Sequence, residues 1–135
     1  MIGLDTNVLV RFLTQDDPGQ GRLASEALGR LTAAEPGWIG REVMIELVWV
    51  LERAYHLSRP EIAEAIDGLL GARELVIEAA DRVGRAAVRY RQGGAGFADQ
   101  MIALTGQEAG CQRTLTLDRK AAGLPGMTLL EGASS

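Results

Sequence analysis

Four carboxylates, Asp5, Glu46, Asp99 and Asp118, stand where their surroundings ask for an explanation. Asp5 closes the brief apolar run Met1-Ile2-Gly3-Leu4, which reads as a buried strand, and a helix-like run with Val8, Leu9, Val10, Phe12 and Leu13 follows at once. An acid at the carboxyl end of an early strand lies where open parallel α/β sheets place their ligand crevice. Asp5, Thr6 and Asn7 are also good helix caps, and capping alone accounts for them. Asp118 ends a second strand-like run, Thr114 to Leu117, and it too has the plainer reading of a cap, here for Arg119 to Ala122. Glu46 is the only charge between Val43 and Leu51. A carboxylate buried there is costly unless paired or metal-bound, whereas Glu42, Glu46, Trp49 and Arg53 at helical spacing equally describe a solvated stripe. Asp99 falls in the first turn of a helix, where the macrodipole favours it. The residues three, four and seven further on are Ile102, Ala103 and Gly106, core-like or small, so this acid is expected to point inward.

Parallel strands carry their carboxyl ends on one edge, so Asp5 and Asp118 approach each other if their strands are neighbours. Converging carboxylates repel, and the repulsion is relieved by protonation or by a hard cation. Oxygen-only ligands select Mg²⁺ or Mn²⁺ over zinc. Such an ion keeps waters, can turn one into a nucleophile and stabilises charge on a phosphoryl group, so the chemistry is phosphodiester hydrolysis.

The elements that must position these acids alternate along the chain. Asp16-Asp17-Pro18 opens a helix expected to run to about Ala34 with Leu23, Ala27, Leu28 and Leu31 on its inner face. Glu35-Pro36-Gly37 stops it, Trp38-Ile39 is a short strand, and a dense apolar helix runs from Arg41 to about Tyr55. Ser58 and Glu61 have capping-box spacing and open a helix with Ile62, Ala65, Ile66, Leu69 and Leu70 inside. Leu75-Val76-Ile77 is a strand, a helix runs from about Ala79 to Arg91, Gly93-Gly94 breaks it, and another spans about Phe97 to Ala109. Strands at Arg113 to Leu117 and Met127 to Leu130 complete the order, with Gly132 to Ser135 a frayed tail. Short apolar strands alternating with amphipathic helices predict an α/β fold, a mostly parallel sheet covered by helices on both faces, in a single domain over 1–131.

The totals are those of a globular chain. The 135 residues are 47% hydrophobic and 24% charged, enough for one real core. One cysteine, Cys111, excludes an internal disulfide and a cysteine zinc site, and one histidine, His56, excludes a histidine cluster. No secretory leader or membrane-spanning run is visible, so a cytoplasmic home is expected. The net charge of −4 argues against a broad nonspecific nucleic-acid surface, although setting aside four clustered acids leaves the remainder neutral. Arg82, Arg85 and Arg89 recur along one helical face, available to RNA phosphates or simply to solvent.

Taken in order, Asp5-Thr6-Asn7-Val8-Leu9-Val10, Glu46-Leu47, Phe97-Ala98-Asp99-Gln100-Met101-Ile102-Ala103 and Thr116-Leu117-Asp118-Arg119-Lys120-Ala121 resemble the PIN-domain ribonucleases, and more narrowly the VapC-type toxins of bacterial type II toxin-antitoxin pairs. The resemblance covers nearly the whole chain. It implies a three-layer α/β/α sandwich, a Mg²⁺- or Mn²⁺-dependent endoribonuclease, often a homodimer, inhibited by a cognate antitoxin. On it, Asp5, Glu46 and Asp99 match the central acidic triad, Asp118 a more variable fourth acid, and Thr6, Asn7 and Thr116 supporting polar positions. Gly96 departs from many relatives, which carry an acidic or polar residue there, and this bears on whether a second ion binds. A Mg²⁺-dependent phosphotransfer receiver would want neighbouring acids after the first strand and a phospho-acceptor after a central one. A haloacid-dehalogenase-like hydrolase would want an acid at Asn7. A non-catalytic binding module of the same fold would use the acids as caps and solvated stripes.

Overall fold

A computed structural model describes residues 1–131, and the tail expected from Gly132 lies outside them. The chain opens with β1 (Ile2–Gly3), α1 (Thr6–Thr14) and α2 (Pro18–Gly29), then β2 (Gly37–Ile39), α3 (Arg41–Arg53), α4 (Arg59–Gly71) and β3 (Leu75–Ile77). It continues through α5 (Ala80–Arg91), α6 (Phe97–Glu108), β4 (Thr114–Thr116), α7 (Arg119–Ala122) and β5 (Met127–Leu129). This is the expected mixed α/β architecture of helices and short parallel strands. Every ladder is parallel, and the strands form two sheets, one ordered β1-β2-β3 and one joining β4 to β5. Ile2 and Gly3 stand opposite Gly37 and Trp38, and Gly37 to Ile39 opposite Leu75 to Ile77. The Leu4 amide adds a bond to the Trp38 carbonyl at 2.9 Å, which carries the ladder to the threshold of Asp5. Among the described residues no helix is long and apolar enough to cross a membrane.

The core lies between the three-stranded sheet and its helices. Leu9, Ile39, Met44, Leu47, Ile62, Ile66, Val83, Tyr90 and Leu104 are fully buried, with Phe97 and Met101 nearly so. Tyr90 meets Phe97 edge-on with ring centroids 6.0 Å apart, which joins the last turn of α5 to the first turn of α6. Ser58 and Glu61 form the reciprocal capping box foreseen for α4.

Two expectations are corrected. The second helix ends at Gly29, because the Thr32 hydroxyl accepts the Glu35 amide and the Thr32 amide bonds the Glu35 carbonyl, turning the chain towards β2. Its inner face is Gly21, Ala24 and Leu28, while Leu23 is 66% exposed and Ala27 lies outside. On this face α2 lies against the end of α1, with the Arg11 carbonyl 3.6 Å from where a Cβ at Gly21 would stand.

Candidate active site

Asp5 leaves β1 at the carboxyl edge of the sheet and caps α1, accepting the Thr6 amide on Oδ1 at 2.7 Å. Its side chain faces solvent while Thr6 is buried beneath it. Asn7 is exposed and lines the α1–α2 groove with Arg11 and Gln20. Asp118 repeats the arrangement on the second sheet, with Oδ1 accepting the Lys120 and Ala121 amides at 2.8 and 3.1 Å. The Thr116 hydroxyl accepts the Asp118 amide at 3.0 Å and so shapes the turn that presents the acid. Both caps foreseen in the sequence are therefore real, and in each the recorded bonds fall on one oxygen.

Glu46 lies mid-way along α3 on its exposed face, in line with Glu42, Trp49 and Arg53, which are exposed as well. The solvated stripe is thus the observed arrangement, and no burial penalty forces Glu46 into a pair. What sets α3 is a residue the sequence reading passed over. Gly40, the N-cap of α3, has no side chain to offer, and Glu78, just past β3 on the same edge, accepts the Arg41 amide on Oε1 at 2.9 Å. The Glu78 amide in turn bonds the Ile39 carbonyl at 2.9 Å. Glu78 stands one residue past β3, an edge strand of its sheet, and the only local hint was the glycine at the cap position of α3.

Asp99 occupies the first turn of α6 and is half-buried. Of its small or apolar neighbours, Ala103 is buried and Ile102 is exposed, so the acid sits at the boundary of the core rather than inside it. Arg59 holds the approach to this turn. Its guanidinium donates to the carbonyls of Tyr90, Gly94 and Ala95 at 2.9, 2.8 and 3.1 Å and lies 4.6 Å from the Tyr90 ring centre. Those bonds fix the turn in which Gly93 and Gly94 take φ of 102° and 81°, a region that favours glycine. A Cβ at Gly96 would meet only Asp99 Oδ2, at 3.9 Å. Between α3 and α6 runs an open cleft of about 260 Å³ lined by Glu42, Ile45, Met101, Ile102 and Thr105.

The donor set is carboxylate oxygen throughout, which suits a hard divalent cation. Among the described residues, however, no group of three or more His, Cys, Asp or Glu side chains is gathered for a metal ion. The chemistry of the donors fits an ion, and their arrangement leaves them apart.

Of the three arginines expected along one face of α5, Arg82 is taken. It donates to Glu108 through Nε and Nη2, its side chain is only 12% exposed, and the hydrogen bond from Arg82 holds the Glu108 carboxyl below its ordinary range against the opposing effect of burial. Arg85 stands 3.9 Å from the same carboxylate with its side chain 56% exposed, and Arg89 has one nitrogen buried without a partner.

Two short parallel strands in separate sheets, β1 and β4, are each followed by an aspartate that caps the next helix, within a mixed α/β protein. A family model described as PIN domain matches residues 2–126, a span that contains all four acids, and the chain belongs to that family. PIN domains are in general divalent-metal-dependent nucleases, and this chain has their fold. No curated protein matches it.

Proposed function

We propose that this protein is a Mg²⁺- or Mn²⁺-dependent endoribonuclease acting as the VapC-type toxin of a toxin-antitoxin pair in the cytoplasm. The observation that carries the reading is the family match across a span in which Asp5 and Asp118 follow parallel strands and Asp99 opens a helix. Asp5 and Asp99 would be the principal ligands, Glu46 would complete the shell or orient the attacking water, and Asp118 would bind a second ion or position water. When bound, the cation lowers the pKa of its own water and stabilises the phosphoryl charge, so no histidine or lysine base is required. Thr6, Asn7 and Thr116 support the acids. Of the arginines, Arg85 is the most open to a phosphate, with Arg89 beside it and Arg82 committed to Glu108. RNA is the substrate, a cognate antitoxin the inhibitor, entering the acidic edge with a basic residue, and a homodimer the working form.

A second reading, a non-catalytic binding module of the same fold, is favoured by one observation, the separation of the acids. Incubating a mixed RNA pool with antitoxin-free protein separates the two. Fragments that appear with Mn²⁺ and vanish with EDTA or in Asp5→Asn support the nuclease. Identical lanes from folded protein, together with no Mn²⁺-induced rise in melting temperature, support the binding module.

A further inference from the structure

The largest apolar side chain left open on the helices that carry the proposed acids is Trp49, 58% exposed on α3. Single exposed leucines and valines are ordinary on a protein surface, but an indole held in water leaves far more apolar area unburied. The Arg53 guanidinium, one turn further on, lies over this ring 5.8 Å from its centre. That cation–π contact steadies the indole on one face while more than half of the residue stays open to solvent. Glu46 precedes Trp49 by three residues and Ile45 by four, so both stand beside it on the helix surface. Ile45 lines the open cleft between α3 and α6, and so does Ile102, one turn beyond Asp99 and itself 51% exposed.

The charges around the ring decide what can cover it. Glu42, Glu46 and Arg53 are exposed along the same stripe, and Arg41 is exposed at the head of the helix. The centre of a protein–protein interface is depleted of charge and takes about 800 Å² of surface from each partner, whereas here single apolar side chains alternate with ions. The two carboxylates also repel a phosphate placed over the stripe. A flat, neutral ring avoids both difficulties, because it stacks on the indole, needs little area and leaves the charged groups in water. The bases of a single-stranded nucleic acid are such rings, and in a duplex they are already stacked on one another. We propose that Trp49, braced by Arg53, is a base-stacking subsite for single-stranded RNA. The inference rests on the reading of the chain as a ribonuclease, and it adds a residue that holds the strand by a base rather than by its phosphates. Stacking accepts every base, so the subsite anchors the strand without reading its sequence.

The test measures binding of a labelled single-stranded oligoadenylate by fluorescence anisotropy in Asp5→Asn, which is expected to leave RNA uncut. Indole quenching by the unlabelled strand is followed beside it. Adding Trp49→Leu is expected to weaken binding about 10- to 100-fold, the scale of one lost base–aromatic stack, and to remove the quenching, while Trp49→Phe keeps most of the affinity. In the chain with Asp5 restored, Trp49→Leu should raise KM with kcat little changed. A duplex of oligoadenylate with oligouridylate should neither quench the indole nor distinguish the variants. Unchanged affinity and KM in Trp49→Leu overturn the inference, as does equal quenching by duplex and single strand. A Trp49→Leu variant that sediments differently but binds RNA as before assigns the face to a second copy of the chain and overturns it too. If wild type cuts no RNA and Asp5→Asn binds none, the ribonuclease reading falls and takes this inference with it. Binding or cleavage that Trp49→Leu leaves unaffected removes the inference alone.

Discussion

At Asp5 one side chain is asked to do two things, and the two respond differently to substitution. Asparagine caps a helix as well as aspartate does, because either can accept the Thr6 amide that Asp5 Oδ1 now takes at 2.7 Å. Asp5→Asn should therefore melt close to wild type and lose metal-dependent cleavage, whereas Asp5→Ala should also lose about 1 kcal/mol of stability with its cap. Denaturant titration beside an RNA-cleavage assay checks both, and cleavage retained by both Asp5→Asn and Asp99→Asn would sink the ligand assignment. Gly96 offers the opposite experiment, a gain. Its φ of −70° and ψ of 169° suit any residue, and a Cβ there meets only the Asp99 carboxylate, at 3.9 Å. Gly96→Asp should thus tighten Mn²⁺ binding in a calorimetric titration with little change in metal-free melting, since two neighbouring carboxylates prefer a cation between them. Unaltered affinity would place Asp99 outside the metal shell.

The helices that carry these acids are set by contacts reaching across the chain, and that distance governs what the sequence disclosed. Ser58 and Glu61 are three residues apart and their box was legible, whereas Glu78 caps a helix that begins 37 positions earlier, and local pattern does not link the two. The buried face of α2 departs from its hydrophobic pattern for a related reason. Leu23 and Ala27 outrank Gly21 and Ala24 in hydrophobicity, but close approach to α1 rewards the smaller pair. Glu46 shows the limit most plainly, because its spacing allowed a buried acid or a solvated stripe, and only tertiary packing, which buries Met44, Leu47, Val48 and Leu51 instead, decided for the stripe. Arg59 is the element-scale lever on Asp99. Arg59→Ala removes three charge-assisted bonds to the turn before α6, and a loss of about 1.5–3 kcal/mol is expected, with lysine unable to restore the fork. Hydrogen exchange should show the added opening concentrated in the first turns of α6, and uniform loosening of the whole chain would contradict this assignment.

For the molecule as a whole, alternation of strand and helix made the α/β class readable, while the division into two sheets was not, since strands of two or three residues carry too little pattern to say which neighbours pair. Stability in acid is a whole-molecule property and has an identifiable source away from the acidic edge. Asp16 ties the end of α1 to the end of α3. The Tyr55 hydroxyl donates to it at 2.7 Å, and the Thr14 hydroxyl and Arg11 reach the same carboxylate. Chiefly through the Tyr55 bond, then that of Thr14, against the opposing effect of burial and with the Arg11 hydrogen bond and charge adding less, the Asp16 carboxyl is lowered from 3.8 to about 2. Because the folded value lies below the unfolded one, the unfolded chain binds the extra proton, and stability rises with pH across this interval. The contribution is present in full above 3.8 and is lost as pH falls through that value towards about 2. Glu61, bonded by the Ser58 backbone and side chain, and Glu108, bonded by Arg82, are shifted in the same direction and add to the slope. Urea midpoints measured across that interval should fall steeply for wild type and less steeply for Asp16→Asn, which cannot titrate there. Parallel slopes would show that the tie between α1 and α3 does not hold in solution.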